Sequence, residues 1–244
     1  MKPLKNSRIK RALLKALREK EVVSGDEIAL KLGISRVAVW KHVKELNELG
    51  YEIESTPKGY KLLKNAEKPY PWELDFRAYY FVNVDSTMNI AKELGEKGEE
   101  WIFIIAERQD KGRGRVGRRW ESQKGGLYFS LLLKPKIRLG EVPKLLKPVS
   151  RAIVKTLLKY GLNPKTAPNG DIFIGENKIA GILVEAFGEL DLVNFVVIGV
   201  GINANNEVPE GATSLKKELG REISLLDLTK RIFSNLKEEL GDFS

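Results

Sequence analysis

The stretch AERQDKGRGRVGRRWESQKGGLYFSLLL, residues 106–133, decides how most of this chain is read. It begins at the end of an apolar run that opens at Trp101 and finishes in a second apolar run, Gly126–Leu133. Between the two runs, Gly112, Gly114 and Gly117 alternate with Lys111, Arg113, Arg115, Arg118 and Arg119. Glycine lets backbone N–H groups approach an anion closely, and guanidinium groups recognise phosphate in a bidentate way. No Gly-Lys-Ser/Thr follows, as a Walker loop requires, and no helix opens after the glycines, as a dinucleotide fingerprint requires. An arginine–glycine RNA-binding tract would repeat in disordered sequence. A single copy between two strands favours a small phosphorylated ligand.

Outward from this loop, strands and helices alternate. Apolar patterning predicts strands at Ala78–Val82, Trp101–Glu107, Gly126–Leu133, Ile172–Ile174, Lys178–Ala186 and Phe195–Asn203. It predicts helices at Met88–Gly95, Val142–Tyr160 and Leu225–Leu240. Several adjacent strands backed by helices imply an α+β domain built on a mixed sheet.

The first 64 residues read differently. Ile9, Leu13, Leu14 and Leu17 fall at helical spacing, which predicts a helix over Ser7–Glu19. Ser24 with Glu27 three residues on has the form of a capping box for a helix over Gly25–Leu32, stopped by Gly33. Ser35 then caps a helix ending near Leu49. Helix, glycine turn, helix is the helix-turn-helix layout, in which the second helix enters the major groove. YEIESTPKGYKLL alternates on both sides of Pro57-Lys58-Gly59, as a wing hairpin does. The DNA-facing candidates are Ser35, Arg36, Trp40, Lys41, Lys44 and Lys58. Charge agrees: residues 1–64 hold 15 Lys/Arg against 8 Asp/Glu, and the rest hold 27 against 25. A local excess of this sign suits a polyanion. The predicted organisation is a winged helix-turn-helix at 1–64, a proline-containing linker at 65–73 and the α+β domain at 74–244.

Composition excludes several chemistries. There is no cysteine, so disulfides, thiolate metal sites and cysteine nucleophiles are ruled out. The single histidine, His42, lies in the DNA-binding region, so no metal site is expected. The N-terminus reads as an amphipathic helix and no apolar run is long enough to span a bilayer, which points to the cytoplasm and away from membranes.

Four motifs in order give the α+β domain a specific resemblance: Asp85-Ser86-Thr87-Met88-Asn89, the glycine loop with its following strand, KIAGILVE (Lys178–Glu185) and VIGVGINAN (Val197–Asn205). Together they resemble the biotin protein ligases, of the type that also carries a winged helix and represses the biotin operon. The resemblance implies a class II synthetase-like catalytic domain. It implies activation of biotin by ATP with Mg2+ to biotinyl-5′-adenylate, then transfer to a carrier-domain lysine. Ser86, Thr87, Asn89, Gln109, Arg113 and Gly181 would hold biotin. Gly112, Gly114, Arg118, Trp120, Asn169 and Asn203 would face the nucleotide, and Arg115, Arg118 and Lys111 would act on the reacting phosphate. The implied partners are operator DNA, the carrier domain and a second copy of the chain.

Two departures qualify the resemblance. The family's Lys-Trp-Pro-Asn-Asp motif is here Thr166-Ala167-Pro168-Asn169-Gly170-Asp171, with Lys165 one residue early and, on a strand without a bulge there, facing the other way. The small SH3-like barrel that usually follows is not expected within Ser244. Both leave open a repressor that senses biotin or its adenylate without ligase chemistry. A lipoate-ligase relative is disfavoured by the glycine loop.

Overall fold

The computed structural model describes residues 2–241. The chain divides into a small unit, Asn6–Lys68, and a larger unit formed by Pro69 onward together with the first five residues.

The small unit follows from its caps. Helix α1 (Arg8–Glu19) starts at Ser7, whose Oγ accepts from Lys10 N. Helix α2 (Gly25–Leu32) starts at Ser24, whose Oγ accepts from Glu27 N, and stops at Gly33 with φ +65°. Only half of the expected capping box forms, because the Glu27 carboxylate turns to Lys20 instead. Helix α3 (Arg36–Glu48) is capped by Ser35. Leu13, Leu14, Ile28, Val39, Val43 and Leu46 meet in the core, each at most 3% exposed. Strands β1 (Glu52–Thr56) and β2 (Gly59–Lys64) pair antiparallel around Pro57-Lys58. Gly59 has φ +138°, and a Cβ there would collide with the Val23 carbonyl, so the wing closes on the α1–α2 connection only with glycine. Asn47 fixes the hairpin by donating to Ile53 O and accepting from Ile53 N, at 3.0 and 2.8 Å.

The larger unit is a seven-stranded mixed sheet in the order β3-β4-β5-β9-β8-β7-β6. Its strands are β3 (Ala78–Phe81), β4 (Ile102–Ala106), β5 (Leu127–Leu133), β6 (Pro164–Thr166), β7 (Ile172–Ile174), β8 (Asn177–Glu189) and β9 (Leu192–Ile202). Only β3 and β4 run parallel. Every residue of β4 and β5 is buried, as strands covered on both faces must be. On one face, α4 (Thr87–Glu96) packs Met88 and Ala91 against Ile102, Ile104, Leu132 and Val197. On the other lie α5 (Leu146–Lys159) and α7 (Leu225–Glu239), with Phe233 stacked on Phe76 and edge-on to Phe103.

The α+β expectation holds, with four corrections of extent. The helix expected over Val142–Tyr160 is a 3-10 segment, Leu139–Leu145, holding Pro143, and only then α5. Strand β6 and the five-residue helix α6 (Leu215–Leu219) are too short to leave a periodic pattern. The expected linker 65–73 is in large part core: Tyr70 and Trp72 are 1% and 2% exposed and stack on each other. Two aromatic rings bury more apolar area than a solvated linker would leave exposed. The N-terminal segment expected in the winged helix instead pairs Leu4 with Tyr80, extending the large sheet. No described helix is long and apolar enough to cross a membrane.

Candidate functional site

The glycine loop, the start of α4 and the ends of β8 and β9 enclose a cavity of about 400 Å³. Its inner wall is polar and uncharged. Gln109 Oε1 accepts from Thr87 N at 2.8 Å and Thr87 Oγ1 at 3.1 Å, and Gln109 Nε2 donates to Ser122 Oγ at 2.9 Å. Thr87 Oγ1 lies 2.8 Å from Ser130 Oγ. Ser86 caps α4 through Met88 N. Ser86, Thr87 and Gln109 are all at most 8% exposed, so their hydroxyls and amide are held in place by packing.

The floor is flat because of glycine. Gly181 on β8 and Gly201 on β9 are register partners, and the Trp120 ring lies over both. A Cβ at Gly181 would come 2.8 Å from Trp120 Cζ3. Trp120 Nε1 is buried with no hydrogen-bond partner among the described residues. An orphaned donor in a cavity wall is a group that a ligand acceptor would complete.

The opposite wall is cationic. Arg115 donates to Asn169 O at 2.6 Å and to Asp171 Oδ2 at 3.0 Å. Lys178 Nζ is 2.8 Å from Asp171 Oδ1 and 5.1 Å above the Trp120 ring centroid. Arg118 and Arg119 also line the cavity. Asp171 is 13% exposed and bridges the two cations, which keeps both aimed inward. The backbone of Lys178 is pinned as well: its N donates to Gly211 O and its O accepts from Thr213 N, both at 3.0 Å. That loop is clasped by Asn205, which donates to Ile223 O and accepts from Ile223 N, both at 2.9 Å.

Most of the predicted residues converge here: Ser86, Thr87, Gln109, Arg113, Gly114, Arg115, Arg118, Trp120, Asn169 and Gly181 line the cavity. Four do not. Lys111 turns outward to Asp85 at 3.0 Å, with its side chain 75% exposed. Asn89 accepts from Arg113 at 3.4 Å and so stands behind that arginine, which also pairs with Glu185. Gly112 lies against Trp120 O and Ser122 Oγ, where a side chain would not fit. Asn203 is 6% exposed and bonded to Asn206 Nδ2 at 3.2 Å.

Lys178, Arg119 and Asp171 are charged lining residues absent from the predicted set. Lys165 and Thr166 lie outside the lining, on edge strand β6. The β7–β8 hairpin, with its register shift after Ile172, brings Lys178 to Asp171 from the far strand. The lysine at the cavity therefore stands on β8 and not on the strand before Pro168.

Both units resemble known proteins. A family model described as "Biotin/lipoate A/B protein ligase family" matches residues 80–203, and an "HTH domain" model matches residues 9–61. The bifunctional ligase/repressor BirA of Bacillus subtilis is 35% identical over 91% of this chain and 75% of that protein. The chain belongs to the biotin/lipoate A/B protein ligase family. BirA of Escherichia coli is another relative, 32% identical over 82% of this chain and 65% of its own length. A solved biotin protein ligase from Aquifex aeolicus, in complex with biotin and ATP, aligns at TM-score 0.56 and 32% identity over 68% of this chain and 71% of that one.

In the small unit, Arg36, Trp40 and Lys58 line a groove between α3 and the wing. Ser35 is spent on the helix cap, and Lys41 and Lys44 are exposed on the same helix.

Proposed function

We propose that the chain is a biotin protein ligase joined to a DNA-binding repressor module. The small unit binds operator DNA, and the larger unit binds biotin and ATP. The observation that carries the enzymatic half is the cavity's division into a neutral, hydrogen-bonding wall and a cationic wall of Arg115, Arg118 and Lys178. The neutral wall suits a ureido ring, with Ser86, Thr87 and Gln109 supplying fixed polar atoms. The cationic wall suits a carboxylate and a phosphate brought together.

In this reading a biotin carboxylate oxygen attacks the α-phosphorus of ATP, and pyrophosphate leaves. A carrier-domain lysine then attacks the acyl carbon of biotinyl-5′-adenylate, and AMP leaves. Arg115 and Lys178 offset the repulsion between carboxylate and phosphate and stabilise charge as it builds in line. Asp171, committed to both cations, is not free to hold a metal. Among the described residues there is no cluster of three or more His, Cys, Asp or Glu suited to one, so Mg2+ would come with the nucleotide. Asn89 acts through Arg113, and Asn169 presents its carbonyl to Arg115.

One ground for a sensor without chemistry is the lack of a lysine at position 166, and the ammonium of Lys178 at the cavity supports the enzymatic reading instead. Ligand binding that orders the glycine loop would favour pairing of two copies on a two-fold operator. The chain incubated with biotin, ATP and Mg2+ should release pyrophosphate and label a carrier-domain lysine. No pyrophosphate above a protein-free blank would overturn the enzymatic reading and leave a sensor.

A further inference from the structure

Helix α3 buries Val39, Val43 and Leu46 and turns Arg36, Val37, Trp40, Lys41 and Lys44 outward. Two members of that outward set are large and apolar: Val37 is 63% exposed and Trp40 52%. They are three residues apart, so they form one apolar stripe on the first two turns of the helix. Basic residues surround the stripe: Arg36 beside it, Lys41 and Lys44 further along, and Lys58 on the wing across the groove. Lys44 Nζ sits 5.8 Å from the Trp40 ring centroid, keeping a cation beside the indole.

The cations meet phosphates, which position a protein on DNA without reading sequence. Val37 carries no group for a phosphate, and Trp40 presents a broad apolar ring beside its single N–H donor. In the major groove the apolar feature that distinguishes a base pair is the C5-methyl of thymine. The N-terminal turns of a recognition helix are the part that reaches base edges. We propose that Val37 and Trp40 read thymine methyl groups, so that each operator half-site carries thymines at fixed positions beneath the start of α3. The inference rests on the DNA-binding reading above and adds the chemistry by which sequence is chosen.

The test is selection of bound duplexes from a random library by the full chain with biotin and ATP present. The enriched half-site should contain invariant thymines, and replacing them with deoxyuridine, which removes only the methyl, should weaken binding about 3- to 10-fold. Val37→Ala and Trp40→Ala should bring the thymine-to-deoxyuridine ratio to about one, because the discrimination itself is what the two side chains supply. Both positions are exposed, so unchanged thermal unfolding is the accompanying check on folding. Enriched sites without fixed thymines, or a native protein indifferent to deoxyuridine, would overturn the proposal. Retention of no duplex at all would instead overturn the DNA-binding reading, and this proposal with it.

Discussion

The two basic regions of the molecule handle their charge in opposite ways. Around the large unit's cavity most cations come with carboxylates: Arg115 and Lys178 share Asp171, Arg113 pairs with Glu185, and Lys111 with Asp85, and Arg118 alone of the proposed wall has none among the described residues. On the small unit, Arg36 pairs with Asp26 at 3.2 Å, but Lys41, Lys44 and Lys58 have no carboxylate partner among the described residues. A preassembled cation–carboxylate wall fixes geometry for one small ligand, which must fit the arrangement it finds. Hydrated lysines fix no geometry. They suit a long polyanion whose condensed counterions are released on contact, and that binding is strongly dependent on salt.

The contrast is open to attack, and salt gives its largest expected effect. If six or more phosphates are neutralised, DNA affinity should fall about 10³-fold or more between 50 and 200 mM salt. Biotin affinity, measured by calorimetry over the same range, should move less than about threefold, since Ser86, Thr87 and Gln109 are uncharged and buried. A steep salt dependence of both would erase the distinction. Next in size, Lys178→Met should slow pyrophosphate release by about 10²- to 10³-fold while leaving the salt slope of DNA binding untouched. Normal turnover in that variant would return the search to Lys165.

Gly201→Val tests whether the flat floor matters. The added side chain displaces Trp120, and overpacking of this kind costs about 1–3 kcal/mol, visible as a lower Tm together with weaker biotin binding. Unchanged biotin affinity would mean that the ligand does not use the floor. The smallest effect belongs to the small unit's Lys10–Glu45 ion pair. The Lys10 hydrogen bond holds the Glu45 carboxyl below its usual 4.5. A carboxylate lowered by folding adds stability above its unfolded value and loses it as pH falls through the folded one. Glu45→Gln should therefore narrow the stability difference between pH 7 and pH 3. With Glu45 half exposed, the change is no more than about 1 kcal/mol after solvent screening, measurable by urea titration at both pH values.

Legibility in the sequence followed locality. The caps at Ser7, Ser24 and Ser35 and the left-handed Gly33 depend on neighbours within four residues, and the sequence pattern carries them. The neutral wall was legible through Ser86, Thr87 and Gln109, which sit in motifs. Lys178 was not, because its place at the site depends on which residue of β8 faces Asp171, a matter of hairpin register and a bulge. Burial of Tyr70 and Trp72 was hidden for a similar reason: two prolines and mixed charge look like a linker until Tyr80 packs edge-on to Tyr70, which stacks on Trp72.

The Asn205 clasp has a consequence for how ligand binding is driven. Its two bonds to Ile223 close a loop whose ends are 18 positions apart, and that loop pins the backbone of Lys178. The conformational entropy of closing such a loop is lost when the protein folds, so it need not be lost again when a ligand arrives. Cutting the clasp with Asn205→Ala would transfer that ordering to the binding step, where calorimetry would register it as a more unfavourable entropy.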